Sequence, residues 1–237
     1  MSREVAHIPA EMEGIFVERP NRFLGRVQLE GEGKAVPVHI HDPGRLREIL
    51  FPGNRVLLHR ASGIRRKTAW DLVAGQCNGH WVLVHSSHHR AIAETILSHP
   101  EDNPLGGILN LKAEVTYQNS RLDFVAETYR GRVWIETKGC TLCREGIALF
   151  PDAPTTRGKR HLEHLRELRL QGERAAVIIL VFRPDSTCFA PNHETDPAFA
   201  KAFWAAVEAG VEVYPLLMEY HPPTIFYRGE IPLREEA

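Results

Sequence analysis

Apolar and polar residues alternate in short runs over the first 85 residues, and turn-forming residues separate these runs. The alternation predicts strands, because successive side chains on a strand point to opposite faces. Asp42-Pro43-Gly44 precedes residues 45–50, which predicts one short helix with Asp42 as its N-cap. The predicted strands span 14–19, 22–30, 34–40, 54–60, 68–74 and 80–85. Short strands in about this number, with one small helix, are typical of a small closed barrel such as an OB-fold.

The pattern changes after residue 85, where helical spacing begins to alternate with strands. Ser87 is the expected cap of the first helix, Thr156 of the second and Asp196 of the third. The predicted helices span 87–98, 157–171 and 196–209, and the predicted strands 114–117, 121–128, 132–137, 174–182 and 211–217. This order predicts an α/β sandwich. We therefore expect an α/β protein (α+β overall), with an OB-like domain at 1–85 and a second domain at 86–237.

Composition is that of an ordinary globular protein, with 43% hydrophobic and 25% charged residues among 237. No apolar run follows Met1, and the longest apolar run, 175–182, is too short to cross a bilayer. Four cysteines at irregular positions favour reduced thiols. These features predict a soluble, cytoplasmic protein with no membrane partner.

The net charge of −1 hides a segregation of charge. Residues 49–70 contain no acidic residue but include Arg65, Arg66 and Lys67, and a second basic stretch begins at Arg157. A local positive field of this kind favours a phosphate-bearing partner. The alternative is that residues 65–67 form a solvated hairpin tip.

Two carboxylates and a lysine are predicted to converge on one face of a β-hairpin. Glu136 and Lys138 lie two residues apart on one strand and so share a face, while Asp123 lies on the partner strand. Such oxygen ligands suit Mg2+ or Mn2+, and the lysine would orient or help deprotonate an attacking water. From spacing alone, a structural ion pair of Glu136 with Lys138 or Arg121 is favoured.

Further residues bear on this site. Glu94 interrupts the apolar stripe of its helix and is a candidate third carboxylate, although a solvent-facing glutamate is an equally good interpretation. Arg157 and His161 lie one turn apart at a helix start, where unpaired N–H groups attract phosphate. The alternative is that these cations only make the helix soluble.

A zinc site is a competing interpretation. Cys140-x-x-Cys143 and His161-x-x-His164 carry zinc-type ligands, but their spacing departs from the common finger pattern and zinc is disfavoured. Cys77 and Cys188 are expected to be small core residues. The remaining histidines show no ligand spacing above chance.

The order of a helix glutamate, a strand aspartate and a strand Glu-x-Lys resembles the PD-(D/E)XK nuclease superfamily, with 119–124 (NSRLDF) and 135–139 (IETKG) as its motifs. More closely, the chain resembles the SfsA family of sugar fermentation stimulation proteins over nearly its full length. The segments that carry this resemblance are 22–24 (RFL), 41–46 (HDPGRL), 66–68 (RKT), 148–155 (ALFPDAPT), 157–158, 161–162 and 194–197 (ETDP). The resemblance implies an OB-like domain, a nuclease-like C-terminal domain, DNA binding, a link to regulation of sugar (maltose) utilisation and a bacterial source.

The leading hypothesis is a weakly sequence-specific protein that binds double- or single-stranded DNA and has a candidate Mg2+-dependent phosphodiesterase site. Asp123 and Glu136 would hold the metal, Lys138 would position the water, and Glu94 would support the metal or the water. The residues expected to contact DNA are Arg22, Arg26, Arg45, Arg65, Arg66, Lys67, Arg157 and His161.

Two alternatives remain open. One is a non-catalytic DNA-binding regulator that uses the same surface. The other is a carbohydrate-active hydrolase with Asp123 and Glu136 as acid and base. The hydrolase is disfavoured because Lys138 would lower the pKa of a carboxylate that must act as an acid.

Overall fold

The N-terminal part folds as a closed five-stranded barrel. The computed structural model describes residues 2–31, 33–62 and 66–234. The strands of this part are β1 (Arg3–His7), β2 (Met12–Asn21), β3 (Leu24–Leu29), β4 (Val36–Ile40), β5 (Arg55–Arg60), β6 (Trp70–Cys77) and β7 (His80–Leu83). The order β4-β3-β2-β5-β6 closes because β4 also pairs in parallel with β6. Alternate residues such as Val27, Val38 and Leu58 are fully buried inside it, which confirms the predicted OB-like barrel.

The C-terminal part is a mixed sheet with helices on both faces. A short 3-10 helix (Ser86–His88) leads into α1 (His89–Ser98), followed by α2 (Thr156–Leu170) and α3 (Pro197–Glu208). The strands are β8 (Ile108–Tyr117), β9 (Ser120–Thr128), β10 (Gly131–Cys140), β11 (Leu142–Arg144), β12 (Ile147–Phe150), β13 (Arg174–Val181), β14 (Cys188–Pro191), β15 (Glu212–His221) and β16 (Thr224–Glu230). Strands β10, β13 and β15 are parallel, and β8, β9 and β10 are antiparallel. This arrangement confirms the mixed α/β class.

Two apolar clusters cover the two faces of this sheet. On one face, Ile92 and Ile96 of α1 pack with Ile135 of β10 in a cluster that continues into the barrel. On the other face, Leu162 and Leu165 of α2 pack with strand residues and with α3. Buried β13 carries apolar residues toward both clusters, as expected of a central strand.

The barrel and the sheet are joined by pairing of β7 with β15. Within the described ranges, thirteen strands thereby belong to one continuous sheet, while β11, β12 and β14 form a small second sheet. Among the residues that the structure describes, no helix is long and apolar enough to span a membrane.

The helix predicted at 45–50 is wrong. Leu46 has a φ of 51°, outside the right-handed helical region, and residues 46–50 form a single turn closed by the Leu50 N–H on the Leu46 carbonyl. The Leu46 N–H is bonded instead to the Asp152 carboxylate, 2.9 Å away and distant in sequence. A tertiary contact therefore determines this segment.

Other boundaries also differ. The N-cap of α1 is His88, whose side chain makes no capping hydrogen bond, and not the predicted Ser87. The N-cap of α2 is Thr155, and not the predicted Thr156. Asp196 caps α3 as predicted, accepting a hydrogen bond from the Phe199 N–H. Strand β8 begins at Ile108, earlier than predicted, and β1, β11, β12, β14 and β16 were not predicted.

Candidate metal and nucleic-acid site

Asp123 and Glu136 lie on neighbouring strands at the point where the pairing of those strands ends. The β9–β10 ladder stops where Phe124 faces Ile135. Beyond it, Asp123 Oδ2 accepts a hydrogen bond of 2.8 Å from the backbone N–H of Thr137. The carboxylate takes the place of a strand carbonyl and is held against β10.

Glu136 is buried, with an exposed fraction of 3%, on the sheet face that α2 covers. Its Oε1 contacts both Lys138 Nζ and His161 Nδ1, and those two nitrogens lie 3.5 Å apart. Lys138 therefore shares a face with Glu136, as strand alternation predicts. Glu136 Oε2 is buried and has no hydrogen-bond partner among the described residues. An unpaired buried carboxylate oxygen is costly, so Oε2 marks a position for a cation or a ligand donor.

The two carboxylates have opposite electrostatic environments. Burial raises the pKa of Asp123, and the negative charge of Glu136 raises it further. Burial alone would raise the pKa of Glu136, but the charge of Lys138 and the contacts with His161 together lower it. The charge of Lys138 and the Thr137 hydrogen bond act in the opposite direction on Asp123, but burial and Glu136 outweigh them, so Asp123 is the less compensated of the two carboxylates.

This donor set fits a hard divalent cation. Asp123 and Glu136 offer carboxylate oxygens on adjacent strands, and Glu136 Oε2 has no hydrogen-bond partner among the described residues. A nearby cation would also stabilise the ionised form of Asp123, whose pKa is raised. Mg2+ and Mn2+ prefer such oxygen ligands. Asp123 and Glu136 are the residues that would hold it.

Glu94 is exposed on α1 and is not brought to this site by any hydrogen bond or ion pair that the described residues show. Helix α1 packs on the face of the sheet that carries Ile135, opposite to the face of Glu136. What α1 places near the site is His89. A Cβ on Gly139 would lie 2.1 Å from the His89 ring, so the glycine after Lys138 is required for this packing. A catalytic role for Glu94 stays a prediction.

Helix α2 presents its N-terminus to the site. Thr155 caps it by accepting a hydrogen bond from the Gly158 N–H. Arg157 is exposed and donates from Nε to His161 Nε2 at 3.3 Å. His161 is only 2% exposed, and its two ring nitrogens face Glu136 and Arg157. This burial differs from the accessible position expected for a DNA contact, and it makes His161 a positioning residue for Glu136.

The barrel meets the second half of the chain at Gly44 and Asp152. A Cβ on Gly44 would lie 2.6 Å from Asp152 Oδ2, so only glycine allows this approach. The Asp42 carboxylate accepts a hydrogen bond from the Gly44 N–H at 2.7 Å, and Arg19 donates to the carbonyls of Asp42 and Gly44. Burial raises the pKa of Asp42 to about 6. The segments 41–46 and 148–155 thereby form the two walls of one cleft.

Of the predicted DNA contacts that the structure describes, Arg22 lines this cleft, and the others lie elsewhere on the barrel or on α2. Arg22 is exposed and lines the cleft together with Gly139 and Thr141, next to Lys138. Arg26 and Arg45 are also exposed, and Arg26 pairs with Glu18 at 3.0 Å. Lys67 and Arg66 are exposed, and Arg66 pairs with Asp71, while Arg65 lies outside the described residues.

The cysteines and histidines considered for zinc do not converge. Cys140 is fully buried, its thiol contacts the carbonyls of Leu142 and Leu149, and burial strongly raises its pKa. His161 is engaged by Glu136. In the described ranges, one group of three potential ligands comes within 4.8 Å, and it is a different one: His41, Asp71 and His85.

Comparisons with known proteins agree with this architecture. The family model described as SfsA N-terminal OB domain matches residues 17–84, and the model described as Sugar fermentation stimulation protein RE domain matches residues 87–224. The chain belongs to the SfsA family. The resemblance inferred from its motifs is thereby confirmed.

SfsA relatives match over nearly the whole chain. A sugar fermentation stimulation protein homolog of Methanococcoides burtonii is 42% identical over 98% of this chain and 96% of its own length. The homolog of Thermotoga neapolitana is 43% identical over 97% of this chain and 98% of its own. Because these relatives include archaeal proteins, family membership does not support the bacterial source that we expected.

A solved structure has the same fold. The SfsA of Pyrococcus furiosus in complex with Ca2+ superposes with a TM-score of 0.90, at 29% identity, over 98% of this chain and 100% of its own. The SfsA fold therefore includes both the barrel and the sheet described here.

Sequence reasoning missed the histidine cluster and the Gly44–Asp152 contact. Two signals for the cluster were present, the His-x-His of 39–41 and the His-x-x-His of 85–88. Neither indicates that β6 brings Asp71 between them. The glycine in 41–46 was a signal for a close approach, but its partner was not identifiable from sequence.

Proposed function

We propose that this chain binds DNA through the cleft between its barrel and its sheet, and that Asp123, Glu136 and Lys138 form a Mg2+- or Mn2+-dependent phosphodiesterase site. The observation that carries the proposal is the unpartnered, buried Glu136 Oε2 on the strand next to Asp123. Burial, and then the charge of Glu136, raise the pKa of Asp123. A divalent cation stabilises such a pair of carboxylates. The Ca2+ complex of the Pyrococcus furiosus SfsA supports it, because Ca2+ takes the same class of oxygen ligands.

The residues around the carboxylates have separate tasks in this proposal. When bound, the cation would polarise a phosphodiester and lower the pKa of water. Lys138 Nζ lies against Glu136 Oε1, where it can orient the attacking water. His161 holds Glu136 in place and receives the Arg157 hydrogen bond. Arg157 and the N-terminus of α2 would hold the phosphate.

DNA binding would rest on the exposed cations of the barrel. Arg22 lies on the cleft itself, and Arg26, Arg45 and Lys67 are exposed on the barrel. Cations that reach phosphates give affinity with little sequence information, so binding is expected to be weakly specific. An effect on sugar (maltose) utilisation would then act through DNA, and we propose a cytoplasmic location for it.

The test of catalysis is cleavage of supercoiled plasmid and of single-stranded DNA with Mg2+ or Mn2+. Wild type is compared with Asp123→Ala and Lys138→Ala, each purified identically. We expect cleavage by wild type alone, and none in the presence of a chelator. Equal trace cleavage by all three proteins would identify a contaminant and refute a catalytic site.

DNA affinity is measured separately on the same proteins. A non-catalytic regulator is the second candidate. It is favoured because Lys138 and His161 both contact Glu136 Oε1, which leaves this oxygen less available to a metal. It predicts that Glu136→Ala preserves or strengthens DNA binding, because a negative charge is removed, and that no metal supports cleavage. Absence of DNA binding by wild type at low salt would refute both candidates.

A further inference from the structure

A second cluster of metal-ligating groups lies on the barrel, apart from the two carboxylates. His41 follows β4, Asp71 lies on β6, and His85 follows β7. One ligand atom from each lies within 4.8 Å of the other two. His41 Nε2 is 3.2 Å from Asp71 Oδ1, and the rings of His41 and His85 stack with centroids 3.8 Å apart.

Each imidazole brings a ring nitrogen into the cluster. Ser87 Oγ lies 2.8 Å from His85 Nδ1, which leaves His85 Nε2 as the free ring nitrogen. His41 Nε2 is buried and has no well-aligned hydrogen bond among the described residues. Hydrogen bonding of the second ring nitrogen is the usual way in which a protein orients a histidine ligand.

Two further histidines and one arginine surround the cluster. His39 and His88 flank the pair, at ring-centroid distances of 4.4 and 4.5 Å. The compensating positive charge on Asp71 is the Arg66 guanidinium, which contacts Asp71 Oδ1.

The geometry points to a binding site for a late first-row divalent transition metal, Zn2+ in the first place, with His41, Asp71 and His85 as protein ligands. Two imidazoles and one carboxylate are the donors of three-ligand zinc sites, whereas Mg2+ and Ca2+ prefer oxygen alone. The site differs in position and in donor type from the Asp123–Glu136 site.

Metal binding at this site would also release Arg66. The guanidinium and the metal compete for the same oxygen of Asp71, because Arg66 Nη2 and His41 Nε2 both approach Oδ1. Arg66 is exposed and is one of the cations that the sequence predicts to contact DNA. Occupancy would therefore free a positive charge on the barrel surface.

The test is a calorimetric titration of tag-free, full-length protein with Zn2+, in excess Mg2+ to occupy the oxygen site. We expect one Zn2+ per wild-type chain. His41→Gln and His85→Gln should bind at least about 100-fold more weakly, because even changes to residues behind a ligand cost about 10–100-fold. Asp123→Asn and His221→Gln, which alters an exposed histidine elsewhere, are the matched controls and should bind as wild type does.

Two further measurements keep the outcome decisive. Co2+ substituted for Zn2+ should give visible bands without a sulfur-to-cobalt charge-transfer band, because no cysteine belongs to the cluster. Arg66→Gln should bind Zn2+ more tightly than wild type, and it decides the matter if the histidine variants do not fold. Unchanged or weaker binding by Arg66→Gln, unchanged binding by both histidine variants, or loss of binding by Asp123→Asn would overturn the proposal.

Discussion

The Asp123 carboxylate accepts the Thr137 backbone N–H at 2.8 Å, just where the β9–β10 ladder has ended. A side chain thereby replaces main-chain pairing and keeps the end of β10 in place. Because this bond uses Oδ2, Oδ1 is the oxygen that remains for a ligand. The same residue thus completes a strand edge and contributes to the candidate metal site.

DNA binding should depend strongly on salt. Each phosphate contact that is lost should lower the slope of log K against log salt by about 1. We expect this reduction for Arg22→Ala and for Lys67→Ala, measured by fluorescence anisotropy on a random-sequence duplex. Lys112→Ala, which alters an exposed lysine on β8 away from the cleft, should leave the slope unchanged. An affinity that stays flat from low to moderate salt would contradict binding through phosphates.

His161 should affect the metal site rather than DNA affinity. Its Nδ1 holds Glu136 Oε1, so His161→Ala removes that contact, while His161→Asn keeps a donor near the same position. We expect the Mg2+ affinity, measured by calorimetry, to fall about 10–100-fold in His161→Ala and to recover in part in His161→Asn. Equal loss in both variants would mean that ring packing, not the hydrogen bond, matters. DNA affinity without metal should be the same in all three proteins.

Gly44 should tolerate no side chain. A Cβ there would lie 2.6 and 2.7 Å from the Asp152 carboxylate oxygens, so Gly44→Ala should lower the free energy of unfolding by about 1–3 kcal/mol. Gly33→Ala, where a Cβ meets no atom within 4 Å, is the control. In urea titrations, the double variant Gly44→Ala, Asp152→Ala should lose less free energy of unfolding than the two single variants lose together. Strict additivity would show that the two residues do not interact.

His89 should make stability depend on pH. Burial lowers its pKa to about 4, below the ordinary value of about 6.5. The neutral ring therefore contributes stability that is complete above pH 6.5 and is lost as the pH falls through about 4. The upper limit of this contribution is about 3 kcal/mol.

A variant without the titrating ring isolates the effect of His89. His89→Phe keeps an aromatic ring beside Phe182, whose centroid is 5.0 Å from that of His89. Between pH 7 and 4.5, wild type should lose more unfolding free energy than His89→Phe, as measured by urea unfolding. His85, whose pKa burial also lowers, is present in both proteins and cancels in the comparison. Parallel pH profiles would exclude His89 as the cause.

Local signals predicted the barrel, the three helices and the Asp123–Glu136–Lys138 hairpin, because each rests on periodicity within one segment. Where a distant residue decides the conformation, the sequence was insufficient. The turn at 46–50 depends on Asp152, and β1 exists because β16 pairs with it from the other end of the chain. The burial of His161 depends on Glu136, which no helical pattern within α2 indicates.

One carboxylate connects the beginnings of α2 and α3. Asp196 Oδ1 accepts the Phe199 N–H, and its Oδ2 accepts the Thr155 N–H at 2.8 Å. During synthesis, the loop that leads into α2 therefore has no anchor until the ribosome has released a segment some 41 residues farther along the chain. A chain that stops before α3 would contain every residue of the candidate metal site, yet it would lack the carboxylate that anchors Thr155, the N-cap of α2. During synthesis, the N-terminus of α2, which is proposed to hold the phosphate, is therefore the last part of the site to be anchored.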